Sequence, residues 1–141
     1  MSFFLDASVI VPSFIRQDSS AAVDRFMSAP SDSLFVSHFA AAEVSSALSR
    51  LLRMKWLTLT AAETFLRDFD AWRADVALAA DIHATDFRLA DTFVRRFDLG
   101  LRAPDALHVA VCRRADHTLV TLDRRLANAA EALGVAVDCP A

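Results

Sequence analysis

Four carboxylates in this sequence stand where a carboxylate is ordinarily unwelcome. Asp6 closes the apolar run Ser-Phe-Phe-Leu at 2–5, and Asp123 follows the apolar stretch from Thr118 to Leu122. Glu43 borders the apolar stripe of a helical pattern. Asp105 opens Asp-Ala-Leu-His-Val-Ala-Val-Cys, which is apolar around nearly its whole circumference. An ionised carboxylate in a buried helix is costly unless it is paired or holds a metal. A helix N-terminus returns only about 0.3–1 kcal/mol of that cost. Gathered together, the acids repel one another unless cations lie between them. Hard ions such as Mg²⁺ and Mn²⁺ take oxygen ligands, and Mg²⁺ retains waters that can attack. Two such ions about 3.5–4 Å apart stabilise both the attacking and the leaving oxygen of a phosphoryl transfer. The chemistry to expect is metal-assisted hydrolysis of a phosphodiester.

Taken singly, each acid has a plainer reading. Asp6 or Asp123 could cap a turn or helix, Glu43 could face solvent, and Asp105 suits a first helical turn. Only their joint placement favours one crevice. Ser8 either supports Asp6 through its hydroxyl or caps a short helix, and Thr121 carries the same ambiguity. His108, one turn beyond Asp105, reads first as a core histidine bonded to backbone and second as a participant in the site. Arg124 and Arg125 are candidates for gripping an RNA backbone. An arginine in a first helical turn opposes the helix dipole, which favours a functional reason for one of them. Arg50, Arg53 and Arg102 are the fallback contacts.

The elements that would position these groups follow from periodicity. Short apolar runs alternate with helical patterns, the signature of a mostly parallel α/β sheet covered on both faces. Strands are expected at Ser2–Leu5, Leu34–Val36, Val76–Ala80, Thr118–Thr121 and Val135–Val137. Helices are expected at Ser20–Ser28, ending before Pro30, and at His38–Met54. A third should be capped by Thr60 and run to Ala74, with Glu63 in the capping-box position. A fourth starts at Thr85 or Asp86 and stops at Gly100, a fifth spans Pro104–Ala115, and a last one follows Asp123 to Gly134. If the first and fourth strands are neighbours, Asp6 and Asp123 meet at their carboxyl ends, where ligands bind in open α/β sheets.

Composition narrows the function. The chain has 141 residues, 55% of them hydrophobic, so a single domain over 1–141 can close a substantial core. The net charge of −3 gives no basic footprint for a sequence-blind nucleic-acid-binding module. The two glycines, Gly100 and Gly134, cannot write a P-loop or a GxGxxG turn. No GxSxG elbow is present. His38, His83 and His117 share no zinc-ligand spacing with one another or with Cys112 and Cys139. Two cysteines do not make a disulfide framework, no apolar run spans a membrane, and the start lacks a basic leader segment. A cytoplasmic setting is the expectation.

Four segments, in order, resemble the PIN domain, and specifically the VapC toxins of bacterial toxin–antitoxin pairs. They are Leu5-Asp6-Ala7-Ser8, Ala42-Glu43-Val44, Arg102-Ala103-Pro104-Asp105-Ala106-Leu107-His108 and Val120-Thr121-Leu122-Asp123-Arg124-Arg125-Leu126. The resemblance implies a three-layer α/β/α fold with a five-stranded sheet in order 3-2-1-4-5. It also implies a Mg²⁺- or Mn²⁺-dependent endoribonuclease, a homodimer and a cognate antitoxin. Asp6, Glu43, Asp105 and Asp123 would be the catalytic, metal-binding acids. One departure stands out: many members carry another acid shortly after the fourth, whereas Arg124, Arg125, Leu126, Ala127 and Asn128 follow Asp123 here.

Rival readings fare worse. A haloacid-dehalogenase-type phosphatase needs a second Asp where Ser8 stands. A phosphoacceptor receiver needs a late lysine, and Lys55, the sole lysine, lies in the wrong half. A PIN-fold RNA-binding or scaffold protein would be expected to have lost an acid. Finally, Leu51–Trp72 holds more apolar residues than one helix hairpin can bury. Phe65 and Phe69 read as core, whereas Trp56 and Leu57 read as an exposed surface for an antitoxin helix or a second copy.

Overall fold

The strands are short, and the first two run almost directly into the helices that follow them. The computed structural model describes residues 1–29 and 33–141. The strands are β1 (Ser2–Leu5), β2 (Ser33–Ser37), β3 (Leu78–Ala80), β4 (Thr118–Val120) and β5 (Val137–Asp138). They form one sheet in the order β3-β2-β1-β4-β5, with every pairing parallel. This is the order expected from the sequence. The helices among the described residues are α1 (Ala7–Phe14), α2 (Ser20–Ser28), α3 (His38–Arg53), α4 (Leu59–Asp75), α5 (Ala84–Val94), α6 (Ala103–Ala115) and α7 (Arg124–Ala132). None of them is long and apolar enough to cross a membrane.

Strand alternation sorts the core into two layers. Phe4 and Leu119 point to one face and pack with α5, α6 and α7 through Phe93, Leu107, Val111 and Leu126. Their neighbours Leu5 and Val120 point to the other face, against Val9 and Ile10 of α1, Val44 and Leu48 of α3, and Phe65 and Phe69 of α4. The central strands are thus buried on both sides, as a parallel sheet requires. Every residue of α6 from Ala106 to Cys112 is buried, which explains its lack of a polar face. A bidentate pair anchors the far end of that helix. Arg114 donates through Nε to Asp86 Oδ1 at 2.7 Å and through Nη2 to Asp86 Oδ2 at 3.0 Å, tying α6 to the first turn of α5.

Several boundaries differ from the periodic reading, each for a local reason. Thr58, not Thr60, caps α4, accepting from Ala61 N at 3.1 Å, so Glu63 falls outside the capping box. Val76 closes α4 by donating its N–H to Trp72 O at 2.8 Å, which delays β3 to Leu78. The helix expected to stop at Gly100 ends at Val94, and a separate 3₁₀ turn at Phe97–Leu99 precedes Gly100. Gly134 N and Val135 N bond back to Glu131 O and Ala130 O, so β5 begins two residues later than expected, at Val137. The expected stop of α2 at Pro30 concerns a residue outside the described ones.

Candidate active site

The crevice lies where the sheet changes winding direction, between β1 and β4. Leu5 pairs in register with Val120, and Asp6 N–H donates to Val120 O at 3.2 Å. Beyond this last rung the two strands part, and their next polar residues are stitched together. Asp6 is extended (φ −88°, ψ 170°) and caps α1, a helix the sequence had disclosed only through the double reading of Ser8. Its Oδ1 accepts from Ser8 N–H at 2.9 Å and from the Ser8 hydroxyl at 2.5 Å. Its Oδ2 accepts from the Thr121 hydroxyl at 2.8 Å. Each hydroxyl in turn accepts from the β4 side: Ser8 Oγ from Leu122 N–H at 2.9 Å, and Thr121 Oγ1 from Asp123 N–H at 3.0 Å. Asp123 caps α7 through Oδ1 alone, which accepts from Arg125 N–H at 2.9 Å and Leu126 N–H at 3.2 Å. Both strand-end acids are therefore caps, as the plainer reading had it. Ser8 and Thr121 are the bridges between them.

Glu43 and Asp105 come from the helices flanking this seam. Glu43, in the second turn of α3, accepts a hydrogen bond from His108 Nε2. The His108 ring is buried, packed against Phe4 and Phe39 with centroids 5.3 and 5.6 Å away. Its Nδ1 finds no partner among the described residues, so the proton belongs on Nε2, toward the glutamate. His108 is thus bonded to a site carboxylate rather than to backbone. Asp105, in the first turn of α6, accepts no hydrogen bond from any described residue.

The electrostatics follow from this placement. Burial pushes the Asp6 carboxyl above its ordinary value, although Ser8, Thr121 and the nearby His108 pull the other way. Burial also raises Asp105. His108 opposes that rise, while Asp123, Glu43 and Asp6 add to it. Asp105 therefore sits in the field of the other three acids. Among the described residues no three acidic, histidine or cysteine side chains lie close enough to enclose an ion on their own. The donor set nevertheless suits a hard divalent cation. It is four carboxylates converging on one crevice, and such an ion completes its shell with water.

Two cavities adjoin the acids. One, of about 270 Å³, is lined by Gly100, Arg102, Asp105, Asp123 and Arg125. The other, of about 590 Å³, runs from Ser8 and Asp123 past Val11 and Arg50 to Met54 and Trp56. Arg125 and Arg50 thus border the acids. Arg124 is exposed and lines neither cavity, and Arg53 donates to Ser49 in its own helix. Trp56 is 74% exposed, as expected for a contact surface. Leu57 is not: it packs into the core layer beside α1 and α4.

A family model described as PIN domain matches residues 3–132. The chain belongs to the PIN domain family. No curated protein sequence matches it, but solved structures do. VapBC2 from Rickettsia felis, crystallised with a DNA fragment from its promoter, is similar to this PIN domain at a TM-score of 0.74 and 13% identity, covering 100% of both chains. VapC20 from Mycobacterium tuberculosis, described as a Sarcin-Ricin loop cleaving toxin, gives 0.71 and 18%, covering 90% of this chain and 94% of its own. FitAcB from Neisseria gonorrhoeae gives 0.67 and 18%, covering 96% and 95%. At these identities the likeness speaks to the fold. In this PIN domain the sheet order and the crevice at β1 and β4 belong to that fold. Gly100, read from the sequence only as a helix stop, lies beside Arg125 at the site.

Proposed function

We propose that this PIN domain is a divalent-metal-dependent endoribonuclease, acting as the toxin of a VapBC-type pair. The observation that carries the reading is the placement of Asp6 and Asp123 at the carboxyl ends of the central strands, with Asp105 close enough to feel both of them and Glu43. Burial raises the carboxyl of Asp6, and burial together with the neighbouring acids raises that of Asp105; a bound cation would offset both costs. Those four acids would hold Mg²⁺ or Mn²⁺. The ion, when bound, supplies an acidified water and neutralises charge on a phosphate. The chain's own residues do the rest. Ser8 and Thr121 fix the orientation of Asp6, His108 holds Glu43, and the capped Asp123 keeps Oδ2 available.

Cleavage of a mixed RNA pool by purified protein tests this reading. Cleavage should stop in EDTA and return with Mg²⁺ or Mn²⁺, and products should carry 5′-phosphate and 3′-hydroxyl ends. Undiminished cleavage in excess chelator, or cyclic phosphate ends, would contradict it.

The similar structures include toxin–antitoxin assemblies, and the apolar groove ending at Trp56 supports an antitoxin helix or a second copy as its occupant. Trp56→Ala should weaken that association by about 2 kcal/mol, read by titration calorimetry or sedimentation, while RNA cleavage and the unfolding midpoint stay unchanged. Because Trp56 is exposed, loss of soluble protein in this variant would count against the assignment.

A further inference from the structure

We propose that Arg102 and Arg125 form a clamp for the RNA phosphate adjoining the one being cleaved, and that Gly100 is small to leave Arg125 its seat. The proposal rests on the nuclease reading above and adds a subsite to it. The two arginines share the cavity of about 270 Å³ with Asp105 and Asp123. Neither guanidinium forms an ion pair or side-chain hydrogen bond with a described residue, although carboxylates line the same space. Elsewhere in the molecule Arg16, Arg95, Arg96 and Arg114 are each tied to an aspartate. Two unpaired forks beside a cluster of acids suit a ligand that is anionic and can bridge them to a cation. A guanidinium matches a phosphate through paired donors. A polynucleotide that places one phosphate at the acids must send the next one along the crevice.

One turn serves both arginines. The 3₁₀ turn Phe97–Leu99 ends at Gly100, which is left-handed at φ 64° and lies two residues before Arg102. A Cβ added at Gly100 would lie 3.3 Å from Arg125 Nη2, tighter than an ordinary contact. Backbone conformation alone would admit Asn at this position, since Asn visits the left-handed region. A side chain there would make the exposed end of Arg125 give way by a few tenths of an ångström. If Gly100 were only a turn glycine and Arg125 only a solvated arginine, Asn at 100 would be neutral for binding.

The test measures binding of a labelled single-stranded RNA in Ca²⁺, across a range of salt, and cleavage of the same RNA in Mg²⁺. Arg125→Ala and Arg102→Ala should each weaken binding about tenfold and lower the salt slope, with the Arg102→Ala/Arg125→Ala double variant lowering it by about 0.7, one single-strand phosphate contact. Gly100→Asn should weaken binding similarly, and the Gly100→Asn/Arg125→Ala double variant should be no weaker than Arg125→Ala alone. Replacing the phosphate next to the cleaved bond by a neutral methylphosphonate should cost the unmodified protein more than either arginine variant loses, cost each single variant less, and cost the Arg102→Ala/Arg125→Ala double variant nothing. Should Gly100→Asn fail to fold, the arginine variants and the methylphosphonate still decide. Additive losses from Gly100→Asn and Arg125→Ala overturn the role of Gly100. An unchanged slope in Arg125→Ala, in protein that cleaves in Mg²⁺, overturns the clamp and leaves the nuclease reading standing. Protein that neither binds nor cleaves RNA overturns both.

Discussion

The seam between β1 and β4 and the first turn of α6 deliver acids to the same crevice, yet they hold them in opposite ways. At the seam, Asp6 is saturated. Both its oxygens accept hydrogen bonds, and those bonds cap α1 and join the two strands through Ser8 and Thr121. At the head of α6, Asp105 is only partly buried, yet burial and the neighbouring acids raise its carboxyl and no side-chain hydrogen bond offsets them. The first acid is part of the fold's construction. The second is a cost to the fold, relieved in part by His108 and by a helix terminus. Stability and chemistry therefore coincide at Asp6 and part company at Asp105.

Substituting either residue should reveal this contrast, and the largest effect is the one they share. Asp6→Ala and Asp105→Ala should both reduce metal-dependent RNA cleavage to background, and Asp105→Asn should do the same with almost no change of shape. Full cleavage by a normally folded Asp105→Asn would remove that residue from the site and end the comparison.

Stability should separate them next. Asp6→Ala removes a cap and strands two hydroxyls, and should lower the unfolding free energy by about 1–2 kcal/mol in urea titrations. Asp105→Ala loses no hydrogen bond and relieves repulsion from Asp123, Glu43 and Asp6, so it should leave the midpoint unchanged or raise it. Equal losses in the two variants would show that Asp105 has structural partners of its own.

The smallest effect is a slope with pH. Both carboxyls titrate above the ordinary 3.8 in the folded protein. Between that value and the raised one, the folded state binds more protons than the unfolded state, so stability falls as pH rises through the window. Their contribution is fully present below 3.8 and is lost above the folded values. In chelator, the melting temperature should decline on going upward from about pH 4, with Asp105→Asn flattening the decline and Mg²⁺ opposing it. Asp86 works in the reverse sense and lower down. Burial acts to raise it, but the hydrogen bonds from Arg114 and the His83 N–H outweigh that and hold it below 3.8, so its contribution disappears only on further acidification.

The sequence made one half of this contrast readable. An acid directly after an apolar run, repeated at residues 6 and 123, marks strand ends, and the sheet order brings those ends together. Asp105 was conspicuous because its helix lacks a polar side, and that helix is indeed buried from Ala106 to Cys112. Less visible were features set by contacts distant in sequence. Nothing local distinguishes Thr58 from Thr60 as a cap, since both precede the same apolar pattern. The partner of His108 lies 65 residues away, so its preference for Glu43 over backbone could not be read from spacing. The approach of Gly100 to Arg125 depends on how the turn after α5 meets the start of α7, and no periodicity encodes that.

The stitching of Asp6 to Thr121 also fixes when the protein can act. Those residues are 115 positions apart in the chain. A ribosome adding about 5–20 residues each second needs on the order of ten seconds to pass from one to the other. During that interval β1 lacks its neighbour β4, Asp6 lacks the hydroxyl that orients it, and Asp123 does not yet exist. On the proposed reading, a chain emerging beside ribosomal and messenger RNA has no assembled site to cleave it with until synthesis is well advanced. This interval is also one in which a partner could meet the chain before its site has closed.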